Sequence, residues 1–548
     1  MTPKLFTTLK GYSRDQLRAD ALAGLTVAIV ALPLSMALGI ASGASPDKGL
    51  VTAIVAGFFI SFLGGSRVQV GGPTGAFVVV VAGVIAQHGY AGLLLATLLA
   101  GIILIIAGYS GVGRLMRYVP MPVVTGFTAG IAVIIATSQV GDFLGLSTSE
   151  VPAEFLGKWN AYLGSITTLS PATLAIGAGS LGAILALKRF VPRMPGYLVV
   201  VVASSLAVFA LGMPVETVGD RFPDMPTTLP APQLPAFSLE MLRAVLPSAF
   251  TIAFLAGIEA LLSAVVADGM TGYRHRSGQE LVGQGVANLA SALFGGLPAT
   301  GAIARTATNI RAGARTPVAG MIHALVLLLI LLVAGGLVAY VPMAALAAIL
   351  LMVAWGMSEV DRFRMLLRID AGERALLLLT FGLTVLVDLT IAIGVGVTLA
   401  SLMFMARMAE ATNVMVGSDK SIEDPTQRLA LPSDVEVFRI AGPMFFGVAS
   451  DMLETLNRID RKPRVILLRL DRVPYLDSSG AQLLENFVRQ AAHNGTRVIL
   501  CDMQKRVWEA LARTTPPFAG AERAQTLADA LGQLGPDEDR DQGEAQPS

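Results

Sequence analysis

Cysteine is all but missing from this chain. Cys501 is the only one in 548 residues, so no intrachain disulfide framework exists. It stands in a stretch of soluble character, where a buried apolar role suits it better than a reactive one. Charge is scarce as well: Asp, Glu, Lys and Arg make up 14% of the chain, and the net charge is +1. That excludes the broad basic field of a nucleic-acid binder. No P-loop is present, so nothing in the chain marks ATP as its driving force. Metal-ligand spacings and hydrolase triads are missing too. An enzymatic reading has no constellation to rest on, and no cofactor is expected.

What the chain has is apolar length. It is 54% hydrophobic, with a mean hydropathy of +0.66, the composition of a membrane protein. The first apolar run, 21–40, follows Lys4, Lys10, Arg14 and Arg18, and Ser42-Gly43-Ala44 comes after it. A signal peptide has that outline. The run is long enough to span a bilayer, however, and is read as a first spanning helix. Apolar segments follow at 50–63, 74–87, 93–108, 123–140, 173–187 and 197–211. A Pro-rich loop, 216–240, separates them from 246–267, 281–293, 301–310, 321–340, 343–355, 375–387 and 389–404. That is seven and seven. The short ones must be half-helices or lie inside the bundle, because lipid does not tolerate their open ends.

The chain is organised around 295–317, which is rich in Gly, Pro, Thr and Arg between apolar runs. Pro298 favours an extended approach. Thr300 then caps a helix that begins at Gly301 and runs only a few turns. An interrupted segment of this kind points to a transporter binding site. A helix that starts in mid-membrane aims free N–H groups and a partial positive charge into a cavity, which suits an anion. A partner stretch lies earlier, at Gly71-Gly72-Pro73-Thr74-Gly75-Ala76-Phe77. It matches Gly295-Gly296 through Pro298, Thr300, Gly301 and Ala302 at an offset of 300 − 74 = 226. The same offset carries Pro33 onto Glu259. Two breaks at corresponding places suggest an internal repeat, over 20–212 and 241–410; chance is the alternative in a chain with 57 glycines.

Five side chains are weighed for the chemistry. Glu259 lies in the middle of an apolar run, where an acid is costly and serves as proton carrier or ion ligand. Ser263 is one turn on, on the same face. The competing reading of Glu259 is an interhelical hydrogen bond. Arg305 follows the half-helix start by about one turn and projects toward the same cavity; the alternative is a charge that snorkels or pairs with Glu259. His323, in an apolar run, reads as helix packing before proton relay. Asp268 reads as interfacial.

Arg67, Arg114, Arg117, Lys188, Arg189, Arg193, Arg274, Arg276, Arg311, Arg315, Arg362, Arg364 and Arg368 fall on every second connection. By the positive-inside rule those loops are cytoplasmic, together with the segment 1–19 and the tail. After Arg407 the composition becomes that of a soluble α/β domain: strands at 435–440, 465–470 and 497–501, helices at 479–492 and 505–512. This domain is placed at 432–534, after a transport domain at 20–410. Residues 535–548 read as disordered.

With these residues in view, the chain resembles the SulP family of sulfate-permease-type anion transporters. The likeness rests on Ala31 to Gly39, Phe62 to Arg67, Gly72 to Ala76, Ile258 to Asp268 and Pro298 to Arg315. The tail, through Pro474 to Gly480, resembles a STAS domain. The resemblance implies an α-helical polytopic fold of two inverted seven-helix repeats, forming core and gate domains, with half-helices at the third and tenth positions. It implies a substrate held by Thr74, Gly75, Ala76, Phe77, Thr300, Gly301, Ala302 and Arg305, with Glu259 and Ser263 coupling an ion. It also implies a homodimer in the plasma (inner) membrane, alternating access, and sulfate, bicarbonate or a dicarboxylate as the anion. Sodium-coupled bicarbonate members place Asp where Glu259 stands, so Glu here points to the proton rather than sodium. Ser478 stands where related antagonist proteins are phosphorylated; alternatively Asp477 and Ser478 simply cap a helix. A cytoplasmic partner of the STAS domain would follow from the former. Competing functions are an uncoupled anion channel or exchanger, a nucleobase permease of the same architecture, and a membrane-tethered signalling scaffold.

Overall fold

The computed structural model describes residues 1–111, 120–148, 151–152, 154–191, 194–223, 225–226, 228–235, 237–387, 389–410, 413–416, 432, 434–445, 463–514 and 521–534. Arg114, Arg117, Arg193 and the tail 535–548 lie outside the described residues. The chain forms two compact units, Met1–Thr398 and Leu399–Ser548.

In the first unit, α1 (Arg14–Ala41) opens on a capping box in which Ser13 and Gln16 satisfy each other's backbone amides. It turns into α2 (Pro46–Leu63), which carries Pro at its first position. The two helices touch backbone to backbone: a Cβ on Gly49 would sit 1.9 Å from the Ser35 carbonyl oxygen. A two-residue strand, β1 (Gly71–Gly72), leads into α3 (Gly75–Ser110). Gly89, at φ 68° and ψ −178°, breaks α3 into two arms. These arms are the third and fourth apolar segments of the sequence. Then come α4 (Met121–Ser138), α5 (Pro171–Phe190) and α6 (Gly196–Leu211).

The second half repeats this count. It contains α7 (Leu239–Thr271), α8 (Ser277–Leu293), a strand β2 (Thr300–Gly301) and α9 (Ile303–Arg311). After these come α10 (Val318–Ala334), α11 (Met343–Met357), α12 (Ala371–Leu386) and α13 (Leu389–Glu410). Among the described residues nine helical stretches are long and apolar enough to cross a membrane. With nine residues, α9 cannot do so.

The two short strands pair with each other. Gly71 lies opposite Gly301, and Gly72 opposite Thr300, in antiparallel register. Each strand feeds a helix, so α3 and α9 leave opposite ends of one ribbon. This corrects the expected cap. Thr300 does not start the helix; its hydroxyl donates to the Ala256 carbonyl of α7 at 2.8 Å, and α9 begins at Ile303 after Ala302. Gly301 is held extended against Gln69, whose Nε2 lies 1.4 Å from where a Cβ would stand. The helix starts are therefore separated by 303 − 75 = 228 residues, two more than the motifs.

The second unit is a five-stranded sheet, β3 (Asn413–Val416), β4 (Val435–Ala441), β5 (Val465–Arg472), β6 (Arg497–Cys501) and β7 (Ala521–Arg523), in that spatial order. β3 is antiparallel to β4 and the other pairs are parallel. The helices α14 (Ser478–His493) and α15 (Lys505–Thr514) cover one face, where Leu484, Phe487, Val507 and Leu511 meet Phe438, Ile440, Ile466 and Leu468. The helix α16 (Leu527–Gly532) covers the other, over Val437, Leu467, Ile499 and Cys501. Strands buried on both faces read as continuous apolar runs, as 465–470 does. Burial pushes the Cys501 thiol up to about 12, so it is an inert core residue at neutral pH.

The expected boundary at Pro432 cuts through this sheet, because β3 precedes it. A fragment covering 411–534 is expected to fold with a single cooperative thermal transition. One covering 432–534 leaves β4 as an open, apolar edge and is expected to melt lower and self-associate; circular dichroism and gel filtration compare the two.

Candidate functional site

A helix broken inside an apolar bundle leaves amides and carbonyls that protein must satisfy. One face of α8 does this for both breaks. Gln279 donates to the Leu63 carbonyl at 2.7 Å. Glu280, fully buried, accepts from the amides of Gly65 at 2.8 Å and Ser66 at 2.9 Å, and from Gln284 Nε2 at 2.8 Å. These contacts fix the approach to β1. Further along, Asn288 grips Ala299, donating to its carbonyl and accepting from its amide at 2.8 Å each. Ser291 donates to the Leu297 carbonyl at 2.6 Å. The Leu297 amide donates to Thr52 of α2 at 2.7 Å. These contacts fix the approach to β2. Positions 280, 284, 288 and 291 share one helical face.

Sequence reading missed this spine. It began the segment at 281 and so left Glu280 outside. The signal was there: polar residues every three or four positions along an otherwise apolar helix.

At the ribbon itself the Ala302 amide donates to the Val70 carbonyl at 2.9 Å. Ala302 is thus occupied by the ribbon and is not the free donor expected there. In α9 the open amides belong to Ile303, Ala304 and Arg305; in α3 they belong to Gly75 and Ala76, since Phe77 already bonds the Thr74 carbonyl. Phe77 is buried. Ser263 is fully buried and donates to Thr306 Oγ1 at 3.1 Å, while Thr306 Oγ1 accepts from the Val70 amide at 3.1 Å. Ser263 therefore ties α7 to α9.

The two charges sit on either side of one peptide. Arg305 is 3% exposed. Its Nη2 donates to the Pro73 carbonyl at 3.0 Å and to Ser35 Oγ of α1 at 3.3 Å. Its Nε and Nη1 have no hydrogen-bond partner among the described residues. Gly72 lets it in: a Cβ there would lie 2.3 Å from Nη1. Glu259 is half-buried and accepts from Thr74 Oγ1 at 2.8 Å. No ion pair joins Glu259 to Arg305 among the described residues, so the pairing considered from sequence is not formed. A buried guanidinium with two open nitrogens, beside two helix starts, can receive an anion.

Three further candidates make other contacts. His323 is fully buried where α10 packs on α2, its Cε1 3.8 Å from the Cβ position of Gly57. Asp268 binds His275 through its ring Nδ1 at 2.7 Å and its amide at 2.9 Å, at the end of α7. Ser478 is the exposed first residue of α14, and Asp477 caps that helix by accepting from the Gly480 amide at 2.7 Å.

Glu280→Ala strands the Gly65 and Ser66 amides, at roughly 1–3 kcal/mol for each unsatisfied group. Its melting temperature in detergent is expected to fall, with Asn288→Leu falling comparably. A surface change such as Arg311→Gln is expected to leave it unmoved.

The model of the sulfate permease family matches residues 17–380, and that of the STAS domain matches 429–516. YvdB of Bacillus subtilis (strain 168) is 40% identical over 512 residues, covering 92% of this chain and 95% of its own. The bicarbonate transporter BicA of Synechocystis is 32% identical, covering 96% of each chain. The structure of murine Slc26a9, an anion transporter in the inward-facing state, superposes with a TM-score of 0.85 over 96% of this chain and 93% of that one. At 17% identity this is a likeness of fold. The chain therefore belongs to the sulfate permease family of anion transporters, with a STAS domain following its membrane helices.

Proposed function

We propose that this protein is a proton-coupled anion symporter of the plasma membrane, carrying sulfate, bicarbonate or a dicarboxylate by alternating access. One observation carries the reading: Arg305 and Glu259 flank the Pro73–Thr74 peptide at the point where two half-helices begin. The family's name supports sulfate, and the BicA relative supports bicarbonate.

The anion binds the open amides of Gly75 and Ala76 and those of Ile303, Ala304 and Arg305. Arg305 Nε and Nη1 add charge-assisted bonds. Glu259 takes the proton. Thr74 links the two events, since its hydroxyl holds Glu259 while its own residue opens α3. A dianion on those amides is repelled by an ionised carboxylate and tolerated beside a protonated one. Each ligand therefore favours the other, by the same coupling free energy in both directions. The basic connections put the N-terminus and the STAS domain in the cytoplasm, and two copies form the working dimer. A neutral nucleobase offers no negative charge to match the buried guanidinium.

Arg305→Ala is expected to weaken sulfate binding by roughly 1–3 kcal/mol, the scale of a lost charge-assisted hydrogen bond. Equilibrium binding to the purified protein checks it, and unchanged affinity in a folded variant removes Arg305 from the site.

The coupling test is uptake of sulfate, bicarbonate and fumarate into proteoliposomes, with and without an inward proton gradient. Wild type is expected to accumulate at least one anion only with the gradient. Glu259→Gln is expected to bind that anion yet ignore the gradient. Uptake indifferent to the gradient in wild type would instead mark an uncoupled channel or exchanger.

A further inference from the structure

Whether the site takes a monovalent or a divalent anion is set, we propose, by the protonation state of Glu259. The inference rests on the reading of the α3 and α9 starts as the anion site.

It follows from counting charge. Arg305 contributes one positive unit. The first turns of α3 and α9 contribute roughly half a unit each. About two positive units therefore face an anion. Glu259, held by Thr74, removes one of them when ionised and none when protonated. With Glu259 ionised the site balances a monoanion. With Glu259 protonated it balances a dianion. Away from water, an unmatched unit charge is costly, so the match governs which anion stays.

No other group near Glu259 alters the count. The elements packed against α7 are α3, α8, α9 and β2. On α3 the titratable side chains are His88, Tyr90 and Tyr109, more than about three turns beyond Gly75. On α8 there is Glu280, occupied by Gly65, Ser66 and Gln284. On α9 there are Arg305 itself and Arg311, at the far end of that helix. β2 has none. Within α7, Glu240, Arg243 and Asp268 lie toward its ends, and Asp268 is engaged by His275. His323 lies on α10, which packs on α1 and α2.

The transport step balances. One solvent proton forms an O–H bond on the Glu259 carboxylate on the loading side, and that bond breaks on the release side. A dianion thus crosses with one proton and carries one net negative charge. A monoanion crosses with Glu259 ionised and carries one negative charge without a proton.

Sulfate and methyl sulfate test this, since they share a tetrahedral head and differ by one charge. Neither changes protonation between about pH 5 and 8, the window in which an internal switch is read. Binding of each to the purified full-length protein is measured across that window. Sulfate affinity is expected to fall with rising pH by up to about tenfold per unit, the slope for one linked proton. Methyl sulfate is expected to hold level or move the other way. Glu259→Gln is expected to prefer sulfate at every pH, at the acid-side ratio of wild type. Glu259→Asp is expected to restore the pH dependence. A wild-type ratio that does not move with pH, or a Glu259→Gln ratio that still does, overturns the proposal while leaving the anion site intact. Failure of either anion to bind at any pH overturns the anion site itself.

Discussion

An interrupted helix in an apolar interior exposes backbone that cannot be left to lipid, and every other feature of the membrane unit answers to that constraint. The two breaks satisfy part of it by pairing with each other, Gly71 with Gly301 and Gly72 with Thr300. The face of α8 satisfies the rest, with Glu280 on one approach and Asn288 and Ser291 on the other. Such hydrogen-bonded polar networks are rigid, and rigidity is what an anion site built from backbone amides needs. The amides that remain open are then those of the two first turns.

Glycine makes this possible at specific atoms. Gly72 leaves space for Arg305, Gly301 for Gln69, and Gly49 for the Ser35 carbonyl. Each close approach brings α1 or a strand to where its polar group is used. Ser35, for instance, reaches Arg305 at 3.3 Å only because α1 lies so near to α2. Arg305 is therefore positioned by α1, by the β1–α3 turn and by its own helix together. Its hydrogen bonds go to neutral acceptors, which leaves its charge for a ligand. Glu259 is held separately by Thr74. Keeping acid and base apart across one peptide lets both respond to an anion, where a closed ion pair would cancel them.

The C-terminal unit follows different rules. Its core is two apolar layers on either side of a mostly parallel sheet. Ion pairs such as Arg469–Asp502 at 2.8 Å and the bidentate contacts of Arg497 with Glu522 tie neighbouring strands. Arg439 beside Asp471, with Arg469 and Arg472 adding to the field, holds that carboxyl below the usual range despite its partial burial. By linkage, a depressed carboxyl stabilises the fold above its unfolded value and loses that contribution as pH falls through its folded one.

By itself the sequence determined the class and the apolar segments, and it singled out the residues proposed to carry the chemistry. Apolar length marks spans whatever their packing, and an acid or a guanidinium within them, as at Glu259 and Arg305, is too costly to be incidental. The paired Gly, Pro and Thr-Gly-Ala breaks marked where helices begin, to within two residues. Only the tertiary structure decided what each polar group meets. Thr300 became a strand residue because Ala256 offers its hydroxyl an acceptor. Ser263 turned to Thr306, 43 residues away. Glu280 became a clamp on a loop 214 and 215 residues distant, and Asn413–Val416 became part of a sheet whose neighbouring strand begins at Val435. Local periodicity fixes which residues share a face, but a hydrogen-bond partner across hundreds of residues is set by which faces come together, and that is a property of the folded chain alone.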